Sequence, residues 1–278
     1  MKVSIIMVNH NLGMWLKQAA GSLIKACKNI DYEMIVVDNA STDRSRKMLA
    51  ADFPGIRVIL NQKNEGIAKA YNQAIKVSRG EYVFLVNPDT ITKKDTIQKL
   101  INFMDNHAAA GGASVRMVSP QGHFIASSKF GITSAWCTLL KWTGLAKYFP
   151  KSHLTKWRHE DWTEEFEMCE VDVLNGAGML LRRSALNQTG LLDERFFMYG
   201  YDIDLSFRLK MEGFKNYYFP KTYIINFNVQ QVSRFSWSYI RYFYGAMFIF
   251  VAKYLFEMPK ISLKGLPQMY TPQYEVER

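Results

Sequence analysis

Cysteine is scarce. Cys27, Cys137 and Cys169 are the only three in 278 residues, and none stands in a CxxC pair. That spacing argues against a disulfide framework or a cysteine-built zinc site and suits a reducing compartment. Long apolar runs are missing too. The nearest, YFYGAMFIFVA at residues 242–252, is closed off by Arg241 and Lys253; it falls short of the roughly 18 apolar residues a membrane span needs. The opening MKVSIIMVNHN has an apolar run too short for a signal peptide and no small-residue cleavage pattern. The expectation is a cytoplasmic protein that is not integral to a membrane. Neither GxGxxG nor GxxxxGK[ST] occurs, so a dinucleotide fingerprint and a P-loop are both absent. Acid is in short supply: 25 acidic against 35 basic residues leave a net charge of +10. This favours anionic partners such as phosphate-bearing substrates or acidic lipid. The basic residues are spread along the chain without a dense segment or a recognised nucleic-acid motif, so nucleic acid is not an expected partner.

What is present is alternation. VSIIMV at residues 3–8 is a continuous apolar run, as a strand buried on both faces would be, and EMIVV (33–37), IRVIL (56–60) and EYVFLV (81–86) read as three further strands. Between them, Leu16, Ala20, Leu23, Ile24 and Cys27 recur at helical spacing, and a helix is expected from Ile67 to Val77. NASTDRS provides a turn, with Ser41 or Thr42 as helix cap. Such alternation predicts right-handed βαβ units and an α/β fold with a mostly parallel central sheet flanked by helices. Residues 119–165 read as loops and short helices, followed by strands at 170–174, 214–219 and 222–227 and one long aromatic helix with a polar tail.

In an open parallel sheet, ligands bind beyond the carboxyl ends of the strands. VNHN, DNASTD and NPDT stand at three such ends, and NEGIAKAYNQA follows the third strand. Singly, an Asp after a strand is commonly a turn or cap residue; together they converge on one crevice. Asp38 is suited to a base edge or ribose, and Asp89 to a hard cation such as Mg²⁺ or Mn²⁺.

The ordered set VSIIMVNHN, IVVDNASTD, NEGIAKAYNQAI, GEYVFLVNPDT, NGAGMLLRRSAL and GLLDERFFMYGYDIDLSFRLKMEGF spans residues 3–227. It resembles the family 2 glycosyltransferases, particularly bacterial rhamnosyltransferase-like members. The resemblance implies a GT-A nucleotide-sugar-binding fold and inverting transfer from a UDP- or dTDP-sugar to a saccharide or lipid-linked glycan, aided by a divalent cation. It divides the chain into residues 1–228, with a nucleotide half (1–118) and an acceptor half (119–228), and a helical extension at 229–278. Carried over, Val8 and Asn9 line the nucleotide pocket and Asp38 contacts the base. Asn64 and Gly66 shape the loop over the nucleotide, with Asn72 nearby. Asn87 and Asp89 stand at the DxD-like position, Asp89 toward metal, and Gly176 belongs to the same donor site.

Three departures fall on the catalytic side. The family's Glu-Asp-x-Asp-Leu here reads Tyr201-Asp202-Ile203-Asp204-Leu205, which leaves Asp202 as the expected base and Asp204 as the partner of Arg208 at i+4. Downstream, in IINFNVQQVSR, Asn226 replaces a metal-ligating histidine, Gln and Val occupy the place of the family's Gly-x-Ser segment, and Arg234 is placed to answer diphosphate. The rival reading is a degenerate transferase that binds nucleotide or glycan without turnover. His10 reads as a core or solvent-capped histidine. His153, Trp157 and His159, with Trp142 and Trp162, read either as an acceptor platform or as loop plugs on the core. The aromatic helix at 236–256 packs on the domain in the first reading; in the second it lies on an anionic membrane.

Overall fold

The computed structural model describes residues 1–130, 134–145, 165–229 and 236–256. Strand β1 (Val3–Asn9), helix α1 (Gly13–Ala26), strand β2 (Tyr32–Asn39), helix α2 (Ser45–Asp52) and strand β3 (Arg57–Asn61) open the chain. Helix α3 (Ile67–Val77) and strand β4 (Tyr82–Val86) follow. These strands pair in parallel, in the order β3-β2-β1-β4. The side-chain alternation of strands explains why β1 is buried throughout. In β1, Ile6 and Val8 face one core cluster and Val3, Ile5 and Met7 the other.

The second half departs from the parallel expectation. It holds strand β5 (Thr90–Thr92), helix α4 (Thr96–Asp105), strand β6 (Ala110–Val118), helices α5 (Ser127–Phe130) and α6 (Ser134–Trp142), and strand β7 (Cys169–Val171). Then come strand β8 (Gly178–Arg182), helices α7 (Arg183–Thr189) and α8 (Tyr201–Met211), strand β9 (Lys215–Asn226) and helix α9 (Trp237–Phe256). Strand β8 enters between β4 and β6 and runs antiparallel to both, and β5 and β7 run antiparallel to β9. The sheet is therefore mixed. Two further expectations change. In place of two strands, β9 (Lys215–Asn226) is one strand with a register irregularity opposite Val115 and Arg116. Strand β7 stops at Val171, after which Val173 and Leu174 are buried in irregular backbone.

Helix α2 begins at Ser45, so neither Ser41 nor Thr42 caps it; Asp43 instead accepts the Ser45 backbone N–H at 3.0 Å. Helix α9 contributes Phe243, Ala246, Met247, Phe250 and Tyr254 to the same core cluster as α3 and α8. None of the described helices is long and apolar enough to cross a membrane.

Candidate functional site

A cavity of about 260 Å³ opens beyond the carboxyl ends of β1, β2 and β4. Of the residues expected from sequence, Val8, Asn64, Gly66 and Asn87 line it. His10, Asn39, Ile67, Tyr71, Pro88, Phe197 and Met198 complete the wall. Asn9, Asp38, Asn72, Asp89, Gly176, Asp202 and Asn226 are not part of its wall, and Arg234 lies outside the described residues, as do His153, Trp157, His159 and Trp162. Trp142 is described and almost wholly exposed.

The wall at the β2 end is held by a polar scaffold. Asp38 is fully buried at the end of β2. Its carboxylate accepts from Asn9 Nδ2 at 3.1 Å, Ser41 N–H at 3.0 Å and Arg46 Nε at 2.7 Å. Burial alone would raise its pKa; the hydrogen bonds from Ser41, Arg46 and Asn9 override that and hold it below the usual carboxylate range. Asp38 thereby fixes the DNASTD turn from behind. Asn39 presents its side chain to the next loop, with Nδ2 donating to Asn64 Oδ1 at 3.1 Å and to the Gly66 carbonyl at 3.2 Å. His10 lies half-buried against it, its Nδ1 donating to the Asn39 carbonyl at 2.7 Å. That bond fixes the ring and leaves Nε2 as its other polar atom.

Gly66 is required on two counts. Its φ is +84°, and a Cβ there would stand 2.7 Å from the Phe197 ring. The close approach lets Ile67 N–H donate to the Phe197 carbonyl at 2.6 Å, which draws the segment before α8 onto the start of α3. Asn72 makes the second tie, exchanging hydrogen bonds with the Leu192 backbone at 2.8 and 3.0 Å.

At the β4 end, Asn87 N–H donates to the Ala177 carbonyl at 3.1 Å, which brings the NGAG turn alongside. Asp89 is buried, and its Oδ2 accepts the Val229 N–H at 2.8 Å. Asn226 pairs with Thr90 across β5 and β9, and its Oδ1 accepts the Asn228 N–H at 2.9 Å. The strands thus bring Asp89 and Asn226 to one place, with one lone pair of the amide oxygen spent on its own turn. No group of three or more His, Cys, Asp or Glu side chains suited to a metal exists among the described residues. The donor set still fits a hard cation, because Mg²⁺ is commonly held by one or two carboxylates plus substrate phosphates and water. Asp89 would be the carboxylate.

Asp202 sits in the first turn of α8, after Gly200 in the left-handed conformation. Its Oδ2 accepts the Gly176 N–H at 3.2 Å and its Oδ1 the Ile203 N–H at 3.0 Å. Burial raises its pKa to about 6, against the pull of those backbone donors. A carboxylate so placed is half-ready to take a proton near neutral pH. Tyr201 is buried beside it, its ring 6.0 Å from that of Tyr71 on the cavity wall. A Cβ on Gly176 would come within 2.4 Å of the Tyr201 hydroxyl, so the glycine makes room for the tyrosine. The Asp204–Arg208 pair forms as expected, at 2.9 Å.

His10, Tyr71 and Phe197 escape the sequence reading as wall residues. His10 stands in the VNHN cluster, Tyr71 falls on the buried face of α3 with Ala68, Ala74 and Ile75, and Phe197 carries no such signal.

The comparisons agree with this geometry. The sequence profile of Glycosyl transferase family 2 matches residues 4–169. The chain is 25% identical over 262 residues to an N-acetylglucosaminyl-diphospho-decaprenol L-rhamnosyltransferase of Mycobacterium tuberculosis, covering 89% of this chain and 83% of that protein. Among solved structures, S. aureus TarS superposes with a TM-score of 0.60 at 20% identity, over 92% of this chain but only 40% of TarS. A Pyrobaculum calidifontis mannosyltransferase in complex with GDP-Man and Mn²⁺ superposes at 0.59 with 17% identity, over 83% of this chain and 58% of that one. The chain belongs to glycosyl transferase family 2, with a GT-A-like α/β fold, and is a glycosyltransferase.

Proposed function

We propose that the enzyme moves a hexosyl or deoxyhexosyl group from a UDP- or dTDP-sugar to a saccharide or lipid-linked glycan acceptor, with inversion, in cell-surface polysaccharide synthesis. The observation that carries this reading is Asp202, a carboxylate of raised proton affinity bonded to the NGAG turn that Asn87, on the cavity wall, holds through the Ala177 carbonyl. In a single displacement the acceptor oxygen attacks the anomeric carbon while Asp202 takes its proton. The bond from that carbon to the diphosphate breaks, and the diphosphate leaves with the electron pair. Val8, Asn64, Gly66 and Asn87 would hold the donor, with Asn9, Asp38 and Asn72 bracing the loops that carry them and Gly176 the loop at Asp202. A divalent cation held at Asp89, with Asn226 beside it, would neutralise charge on the leaving diphosphate, as Arg234 would from the segment after β9.

The rhamnosyltransferase relative, by its name, acts on a polyprenyl-linked acceptor. A lipid-linked acceptor would bring the enzyme to the cytoplasmic face of a membrane. Supporting this, Trp237, Ile240, Tyr244, Phe248 and Leu255 are exposed along α9 beside Arg241, and α9 contains no acid.

The test is Asp202→Asn in a transfer assay over a panel of nucleotide sugars and prenyl-linked acceptors. Donor affinity should change little while transfer falls about 10²- to 10⁴-fold. Undiminished transfer would remove Asp202 from the chemistry.

A further inference from the structure

A buried cluster of charge lies away from the cavity, where the last turn of α9 crosses α8. Asp204 is fully buried. Its carboxylate accepts from Arg208 Nε at 2.9 Å, Lys253 Nζ at 2.6 Å and the Tyr254 hydroxyl at 2.7 Å. Lys253 also donates to Asp193 at 2.8 Å. The terminal nitrogens of Arg208 reach the carbonyls of Thr189 at 2.6 Å and Leu191 at 2.8 Å. Helix α8, the segment after α7 and helix α9 therefore meet at one carboxylate.

Apolar packing would join these helices without such bonds, and it does so nearby, where Phe207 meets Tyr254 with ring centroids 4.5 Å apart. Replacing a buried ionic cluster by apolar residues is often neutral or stabilising. What the cluster adds is direction. The two donors from α9, Lys253 and Tyr254, together with the bonds from Arg208 to the Thr189 and Leu191 carbonyls, fix the roll of α8 about its axis, which sliding aromatic contacts leave free.

The roll matters because of what the same turn carries. Asp202 and Asp204 are separated by about 200° around the helix. A roll that releases one carboxylate swings the other. With side chains reaching about 5–6 Å from the axis, a roll of about 10° displaces a carboxylate by about 1 Å. A displacement of that size can cost about 100-fold in rate.

We propose that Lys253 and Tyr254 are positioning residues for Asp202: by gripping Asp204 from α9 they hold the first turn of α8 at the angle that aims the base. This rests on Asp202 being the base. Helix α9 is then part of the catalytic apparatus, though none of its residues lines the cavity.

The experiment pairs kinetics with a direct titration of Asp202. In Lys253→Met, kcat should fall about 10- to 100-fold with donor KM within about twofold, and Lys253→Arg should recover most of the loss. In an Asp202→Asn background, adding Lys253→Met should reduce kcat no further, since the effect would pass through Asp202. Carboxyl ¹³C NMR, assigned with Asp202→Asn, should show the Asp202 midpoint moving from its wild-type value when Lys253 is replaced. A fall in Tm alone, with kcat and the Asp202 midpoint both unchanged, would overturn the proposal and leave an ordinary structural ion cluster. If the wild type transfers no sugar, the assignment of Asp202 as base fails, and the titration still decides whether α9 holds its carboxylate. Should Lys253→Met not fold, Tyr254→Phe, which removes one hydroxyl from Asp204, decides by the same two readouts.

Discussion

Asp202 bears a charge that its surroundings resist. Burial lifts its pKa from 3.8 to about 6, so the native state takes up its proton at a higher pH than the unfolded chain does. The sign of the linkage follows. Between about pH 4 and 6 the native protein binds more protons here than the unfolded one, so this residue's contribution to stability falls as pH rises through that window. Asp202→Asn should therefore stabilise the protein at pH 8 relative to wild type, and the gain should shrink to nothing near pH 4. Urea denaturation of both proteins at the two pH values measures it; equal midpoints at pH 8 would show that the carboxylate is not desolvated. Beside it, Tyr201 fills the space over Gly176, and Asp202 is the acid of that turn that reaches the glycine amide.

Between elements, the junction of α8 with α9 holds charges whose loss is costly. Asp204→Asn would leave Arg208 and Lys253 facing a neutral amide in a buried place. Breaking a buried pair by removing one partner costs about 3–5 kcal/mol, and chemical denaturation should show a loss of that order. A loss below about 1 kcal/mol would mean that water reaches the cluster. Elements also differ in how openly they declare themselves. Strands β1, β2 and β4 are legible because both of their faces are largely covered, so runs such as VSIIMV and EYVFLV are mostly apolar, whereas β3, with Arg57 and Leu60 exposed, is covered less completely. Helix α3 is legible from first residue to last, its apolar face and the preceding Gly66 both marking it. Strands β6 and β8 are not. AGGASVRMV opens on glycines that a strand pattern disfavours; they are there because a Cβ on Gly112 would meet Leu174 and Leu181. The direction of β8 depends on which strands flank it, a tertiary matter that five residues cannot encode. For the site the same split holds. NHN, DNA, NEG and NPD declare their loops, whereas Phe197 becomes a wall residue only because Gly66 lets its backbone approach.

For the whole molecule, the site joins the parallel half of the sheet to loops from the mixed half, and a ligand there should stabilise both. A nucleoside diphosphate at about a hundredfold its Kd would add about 2.7 kcal/mol, which for a chain of this size corresponds to a Tm rise of about 5–10 °C. Mn²⁺ should enlarge that rise, and Asp89→Asn should abolish the enlargement while leaving the metal-free shift in place. Identical melting with Mn²⁺ and with EDTA would show that Asp89 serves the loop and not a cation. The place of β8 in the sheet also sets a schedule for synthesis. Strand β4 is complete at residue 86, but the strand that covers its outer edge begins at residue 178. On a ribosome adding about 5–20 residues per second, that edge waits on the order of 5–20 s for its partner. During that interval the emerging chain offers a row of unpaired backbone donors and acceptors along an apolar strand. A stalled or truncated product ending before β8 would be an aggregation seed rather than a smaller enzyme.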